Sequence, residues 1–297
     1  MAGNPNLVIR ENFLTKNPCY TAQRSIVITG ATLHSIGCPQ PDPNVFVRNW
    51  NSASYDRACV HAFIGENEAI ITLPCMTKTA TSGVGKIHRA WHAGQNKKTK
   101  KSANNFAFGA EMTEPKWIKY TGGSSFTVAP ENKAKAIAFV EKVTQNAVEV
   151  YARLFHYHNL EVNKNTLFSH YEGSQSPLLC ASGHGDPDHL WRGLGMNYNM
   201  DKFRADVKER LRELRGESEV PEFLKDSALF EQYMNEWLNK MQHLPVSAWA
   251  QGDIEWAVNN GIMAGGTDGN LMPKGFPTRE QLMVMLHRYH ENKDRIQ

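Results

Sequence analysis

Residues 25–34 read Ser-Ile-Val-Ile-Thr-Gly-Ala-Thr-Leu-His, an apolar and β-branched run that ends in a histidine. Such a run reads as a buried strand. It delivers His34 into TLHSIGCPQP, where the Gly-Cys-Pro-Gln-Pro segment turns the chain. A histidine at the end of a buried strand, facing a loop, suits a metal ion or a catalytic group. Most histidines are neither, so its meaning depends on distant partners. Those partners are Glu111, His170 and Asp186.

Further runs of the same kind follow. Ala58–Gly65 reads as the next strand, with residues 69–73 as its hairpin partner after a Glu-Asn turn. Phe106–Met112 is apolar enough for a central strand and carries Glu111 near its end. A carboxylate there costs free energy unless it is paired, hydrogen-bonded or protonated. Thr166–His170 makes a last short strand ending in histidine, and Leu7–Arg10 reads as an edge strand. Helical patterns cover 44–50, 131–158 and 201–214; in the longest, Ile137, Val140, Ala147, Val148, Tyr151, Leu154 and Phe155 form one broad apolar stripe. Residues 171–186 read as an irregular loop.

The length of 297 residues allows one large domain or two modest ones, and 41% apolar residues exclude global disorder. A net charge of +3 is too mild to argue for nucleic acid, but it is compatible with an anionic polymer. Lys97, Lys98, Lys100 and Lys101 form a basic run that reads as a solvated loop, or as a contact for such a polymer. The start, MAGNPNLVIREN, shows no secretion signal, and no run approaches the ~18 apolar residues of a membrane span. Five cysteines without C-x-x-C spacing disfavour a zinc knuckle or a full disulfide framework and read as buried thiols.

Two imidazoles, His34 and His170, and one carboxylate, Asp186 of His184-Gly185-Asp186-Pro187, make a three-ligand set that leaves a fourth position on zinc for water. Glu111 is then placed to take a proton from that water and pass it to a leaving amine. His184 is a candidate donor to an oxyanion. That chemistry is metal-assisted amide hydrolysis. The ligands do not fall in a short motif, so their spacing alone is a weak signal.

The ordered pieces TLHSIGCPQP, ACVHAFIG, AWHAG, FAFGAEM, FSHYEG and HGDPDHLW resemble zinc-dependent N-acetylmuramoyl-L-alanine amidases of type 2, the family of peptidoglycan recognition proteins and many phage endolysins. The likeness covers roughly residues 7–215 and is closest to endolysins of phages of clostridium-like hosts. It implies an α/β fold with a mixed central sheet flanked by helices, and Zn2+ as cofactor. It also implies that His34, His170 and Asp186 are the metal ligands and Glu111 the catalytic acid. His184 stands where many relatives have lysine. The loop between His170 and Asp186 is longer than in many relatives, so Cys180, Asp188 and His189 are rival third ligands. His61 and His92 fall in family motifs that line the substrate groove, with hydrogen-bonded support as the alternative. Trp91 is placed either to stack on substrate or to pack in the core.

Charge, Gly and Pro at 216–221 mark a boundary. The expected organisation is a catalytic domain over 1–215, a linker and helix over 216–243, and a small helical module over 244–297. In the last block, SAWAQGDIEWAVNNGIMAG and TDGNLMPKGFPTREQLMVMLHRY resemble an S-layer homology module. Trp249 and Trp256 read as lying on one helix, and Thr278 with Gln281 as a capping box. Asp268 alone does not make a calcium site. The module implies binding to a secondary cell-wall polymer or self-association as a homodimer. Together these features imply an endolysin made in the host cytoplasm, released through a holin lesion, that cuts peptidoglycan. The alternatives are an inactive peptidoglycan binder and a cytosolic amidase that recycles muropeptides.

Overall fold

The computed structural model describes residues 1–175, 178–217, 226–266 and 269–293. The chain divides into two compact units, Met1–Ser218 and Glu219–Gln297. Among the described residues, no helix is long and apolar enough to cross a membrane.

The first unit runs β1 (Val8–Glu11), α1 (Pro18–Thr21), β2 (Ser25–Val27), β3 (Gly30–Ser35), α2 (Pro43–Trp50), β4 (Ala62–Ile64), β5 (Glu68–Ile71) and β6 (Lys86–His88). It continues with β7 (Ala107–Met112), β8 (Ile118–Gly122), β9 (Ser125–Val128), α3 (Pro130–Tyr157), β10 (Leu167–Ser169), α4 (His170–Gln175), α5 (Asp188–Leu194) and α6 (Met200–Arg215). Six strands form one sheet in the order β1-β5-β4-β7-β3-β10. Only β4 and β5 pair antiparallel, so the sheet is mixed, as the sequence implies.

Both faces of the sheet are covered, which is why β3 and β7 read as unbroken apolar runs rather than alternating ones. On one side lies α3, whose Tyr151 donates its hydroxyl to the Thr32 carbonyl at 2.6 Å. Phe108 of β7 sits between the rings of Tyr151 and His61, at 5.4 and 5.0 Å between centroids. Truncating such a fully buried ring to alanine costs about 3–5 kcal/mol. The other side packs Phe46 and Trp50 of α2 on Phe63 of β4. Helix α2 starts where it does because Pro43 fixes its first turn and Asp42 accepts from the Asn44 amide at 2.9 Å.

In the first unit the expected elements change at two places. Residues 25–34 are two strands, not one. β2 pairs antiparallel with β6 in a separate ribbon, while β3 enters the main sheet. The break falls before Gly30, where an added Cβ would lie 2.9 Å from the Thr166 carbonyl oxygen. A glycine there permits the close backbone approach that starts β3. Likewise the strand at 167 stops at Ser169, and His170 opens a helix instead. Ser169 Oγ accepts from the Glu172 amide at 3.1 Å, while Glu172 accepts from the Ser169 amide at 3.3 Å. That reciprocal pair is a capping box, written as Ser-x-x-Glu in the sequence.

The second unit holds α7 (Ser227–Gln242), α8 (Gln251–Asn259) and α9 (Arg279–Asn292). Asp226 caps α7, and Thr278 and Gln281 form the capping box that the sequence signals at α9. Trp249 is not on the helix of Trp256: it lies in a separate 3-10 turn, Ala248–Ala250, closed by the Ala250 amide on the Ser247 carbonyl. Of the boundary read at 216–221, residues 218–221 lie outside the described residues, as does Asp268.

Candidate metal centre

β3 and β7 are adjacent and parallel, with His34 directly opposite Glu111. Residues in register on neighbouring strands project from the same face, so an imidazole and a carboxylate stand side by side. On the far side of β3, Leu33 pairs with Ser169 of β10. The capping box then turns the chain so that His170 begins α4 beside His34.

The structure brings His34, His170 and Asp186 together, one donor atom from each lying within 4.8 Å of the others. His34 Nδ1 is 3.1 Å from His170 Nδ1 and 3.2 Å from Asp186 Oδ2, and His170 Nδ1 is 3.5 Å from the same oxygen. An ion holding N and O donors at roughly 2.0–2.2 Å in tetrahedral geometry sets those donors about 3.3–3.5 Å apart. The three observed edges fall close to that triangle. Two imidazoles and a carboxylate are also a donor set suited to zinc. The residues present therefore fit the ion that the sequence implies.

His184 stacks on His170 at 3.9 Å between centroids, 12° from parallel, and its Nδ1 is 3.5 Å from Asp186 Oδ1. It is half-exposed, at the mouth of the site. Cys180 is buried apart, with Ala93, Ala103, Ala107 and Phe168. Asp188 opens α5, and His189 is engaged elsewhere, as described below.

His92 lies behind His34. Its Nδ1 is 2.9 Å from His34 Nε2 and its Nε2 is 3.2 Å from the Ala107 carbonyl. Asn104 Oδ1 accepts from the amides of both His92 and Ala93, at 2.8 and 2.9 Å, and so holds the AWHAG loop. His61 is fully buried. Its Nδ1 accepts from the Gly109 amide at 3.0 Å and its Nε2 donates to the His88 carbonyl at 2.7 Å. Both nitrogens are thus committed to backbone, which assigns His61 the supporting place rather than a groove contact. Trp91 pairs its backbone with Cys59 and packs half-buried on the core around Phe46 and Phe63. Lys97, Lys98, Lys100 and Lys101 are exposed on their loop.

The electrostatics sort the acids. Burial alone would raise the Asp186 carboxyl, but hydrogen bonds from His170 and then His184 hold it well below the ordinary carboxylate range. Glu111 is pushed well above that range by burial and by the charges of Asp186 and Glu114. Its Oε2 is buried with no hydrogen-bond partner among the described residues. Burial lowers His34 to about 4, against the pull of Asp186, and the hydrogen bond to Asp186 raises His184.

A neighbouring group was not singled out from sequence. Glu114 is fully buried, accepting from the Gly37 amide at 2.9 Å and from the Tyr120 hydroxyl at 2.8 Å. Tyr120 in turn accepts from His189 Nε2 at 2.6 Å. Burial raises the Glu114 carboxyl to about 7, opposed by the hydrogen bonds from Tyr120 and Gly37. Its signal in the sequence was the second acid of Glu-Met-Thr-Glu, three residues beyond Glu111.

Comparison with known proteins adds the following. Residues 245–283 match the family model of the S-layer homology domain. No curated protein sequence matches the chain. Among solved structures, the chain is similar to the Staphylococcus aureus hydrolase AmiA in complex with its ligand, at 18% identity and TM-score 0.49 over 73% of this chain and 87% of that one. It is similar to a mutant endolysin from Bacillus subtilis, at 17% identity and TM-score 0.43 over 68% of this chain and 99% of that one. It is also similar to the N-acetylmuramoyl-L-alanine amidase LysC from Clostridium intestinale, at 13% identity and TM-score 0.31 over 64% of this chain and 98% of that one.

Proposed function

We propose that the first unit is a zinc-dependent amidase that hydrolyses the bond between N-acetylmuramic acid and L-alanine in peptidoglycan. The observation that carries this reading is the buried triangle of His34, His170 and Asp186, with Glu111 in register beside it and its Oε2 without a partner among the described residues. The ordered sequence motifs supply the substrate class.

When bound, zinc polarises the scissile carbonyl and makes water acidic enough to react near neutral pH. The rest of the work falls to the chain. His34, His170 and Asp186 hold the ion and remain able to do so because Asp186 stays ionised among three imidazoles. Glu111 removes the proton of the attacking water. The water oxygen adds to the lactyl carbonyl, the C–N bond breaks, and Glu111 returns the proton to the departing L-alanine nitrogen. Burial raises the Glu111 carboxyl and a cation held beside it would bring it back down, so that the group can take the proton and return it. His184, at the mouth and kept protonated more readily by Asp186, donates to the oxygen on which charge develops.

The second unit is proposed to hold the enzyme at the wall through a secondary polymer, or through a homodimer, on the strength of its match over 245–283. A wall lytic role after release from a host cytoplasm, as an endolysin, is the setting that joins the two units.

The test is clearance of purified cell walls by the full chain, with chelator, and again after zinc is returned. Loss of turbidity with new L-alanine amino ends, and no new reducing sugar ends, is expected only when zinc is present. Walls left intact by the zinc-loaded chain overturn the reading in favour of a binder. Release from soluble muropeptides alone overturns the wall-lytic part.

A further inference from the structure

The ring of His92, which the sequence places along the groove, lies behind His34 and is tightly built in. Gly109, in the middle of β7, is the reason that it fits. A Cβ added there would stand 2.4 Å from His92 Cγ and 2.5 Å from its Nδ1. The ring therefore lies flat against bare backbone, and Asn104 fixes the two amides that carry it.

The hydrogens on these rings follow from what each partner can do. The Ala107 carbonyl only accepts, so His92 Nε2 carries a proton toward it at 3.2 Å. A neutral His92 then presents a bare Nδ1. At 2.9 Å from His34 Nε2, that nitrogen accepts, so His34 carries its proton on Nε2. Asp186 Oδ2, 3.2 Å from His34 Nδ1, is the rival acceptor for that proton, and His92 is the partner that draws it to the far side of the ring and leaves the lone pair on Nδ1, the atom that faces His170 and Asp186.

We propose that His92 is a positioning residue: through this relay from the Ala107 carbonyl it fixes the tautomer and ring angle of His34, so that Nδ1 reaches the metal already bare. The proposal rests on the metal-dependent reading of the site, and it concerns affinity for the ion rather than the reaction. Without His92, His34 loses the one partner that its Nε2 has among the described residues, and the proton is free to sit on Nδ1, where it opposes the ion. Outer partners of metal-bound histidines typically alter affinity by about 10–100-fold when removed.

The experiment uses the full chain and zinc alone. Zinc dissociation constants are measured by chelator competition for the parent, His92→Ala, His92→Asn and Gly109→Ala. In His92→Asn the amide oxygen takes the place of Nδ1 and still accepts. His92→Ala and Gly109→Ala are expected to bind zinc about 10–100-fold more weakly, and His92→Asn to recover most of that loss. In parallel, long-range proton–nitrogen NMR of the metal-free parent is expected to show His34 protonated at Nε2. Zinc binding by His92→Ala equal to the parent overturns the proposal. So does a metal-free parent with His34 protonated at Nδ1, a result that needs no variant to fold. A parent that binds zinc but leaves walls intact sinks the amidase reading alone, while the affinities still decide the role of His92.

Discussion

Glu114→Gln isolates the cost of a buried carboxyl near the site. In the folded chain the Glu114 carboxyl is fully buried and raised to about 7 from an ordinary 4.5. A carboxyl raised by folding contributes stability that is fully present below its unfolded value and is lost as pH rises through its folded value. Between about pH 4.5 and pH 7 the parent therefore loses about 3 kcal/mol of stability, at 1.36 kcal/mol for each pH unit between the two values. Glutamine cannot ionise and keeps the shape. Its oxygen still accepts from Gly37, and its NH2 donates to Tyr120, which then donates to His189, so the chain of hydrogen bonds runs in reverse. The two proteins should be nearly equal at pH 4.5, and the variant should lead by about 3 kcal/mol at pH 8. For a unit of this size that is about 6–12 °C in Tm. The assay is paired thermal melts of metal-free protein across that window, where the difference between curves cancels titrations common to both. A difference that stays flat with pH, or a variant that falls behind at pH 8, refutes the reasoning.

Two further outcomes follow from the same geometry. Glu111→Gln should keep its zinc by elemental analysis and lose hydrolysis by about 10²–10⁴-fold, the usual contribution of a positioned acid–base group; full activity removes Glu111 from the mechanism. The chain cut after Glu217 should hydrolyse soluble muropeptides as the parent does, yet sediment with purified walls at least about tenfold less well, since a second attachment raises effective concentration; unchanged sedimentation refutes the wall-holding role of the second unit.

What was legible in the sequence was whatever rests on long runs. β3 and β7 are buried on both faces and read as continuous apolar stretches; α3 carries a stripe through about five turns, and the helical pattern at 131–158 matches it within a residue at each end. The donor residues stood out because each lies at the end of such a run or in a tight loop. What failed was local. The Ser25–His34 run looks unbroken because residues 28 and 29 are as β-like as their neighbours, whereas β3 starts only at Gly30, whose lack of a side chain lets it approach Thr166. His170 was placed on a strand because Thr-Leu-Phe-Ser is β-like, although Ser169 and Glu172 spelled a helix start. The β8–β9 hairpin passed unnoticed, and with it Tyr120, the residue that ties Glu114 to His189. No periodicity in one sequence announces a contact between a hairpin and a helix 69 residues on.

The three acids of the site have the same chemistry in water and different duties here, and the division is made entirely by their neighbours. Asp186 is nearly as buried as the others, but His34, His170 and His184 all turn nitrogen atoms toward it, so it holds a negative charge where an ion needs one. Glu114 has donors but no cation; the Gly37 amide and the Tyr120 hydroxyl offset only part of its burial, and it settles near neutrality. Glu111 has an Oε2 with no partner among the described residues and faces two other acids, so burial and their charges push its carboxyl well above the ordinary range. Placing Glu111 and Glu114 three residues apart on one strand end keeps each within range of the other, so ionising either one raises the cost of ionising the other. A cation bound by Asp186 and the two imidazoles would act on Glu111 in the opposite sense, favouring the carboxylate. On the proposed reading, loading the metal would thus ready the base: the ion that activates water would also make Glu111 better able to take the proton.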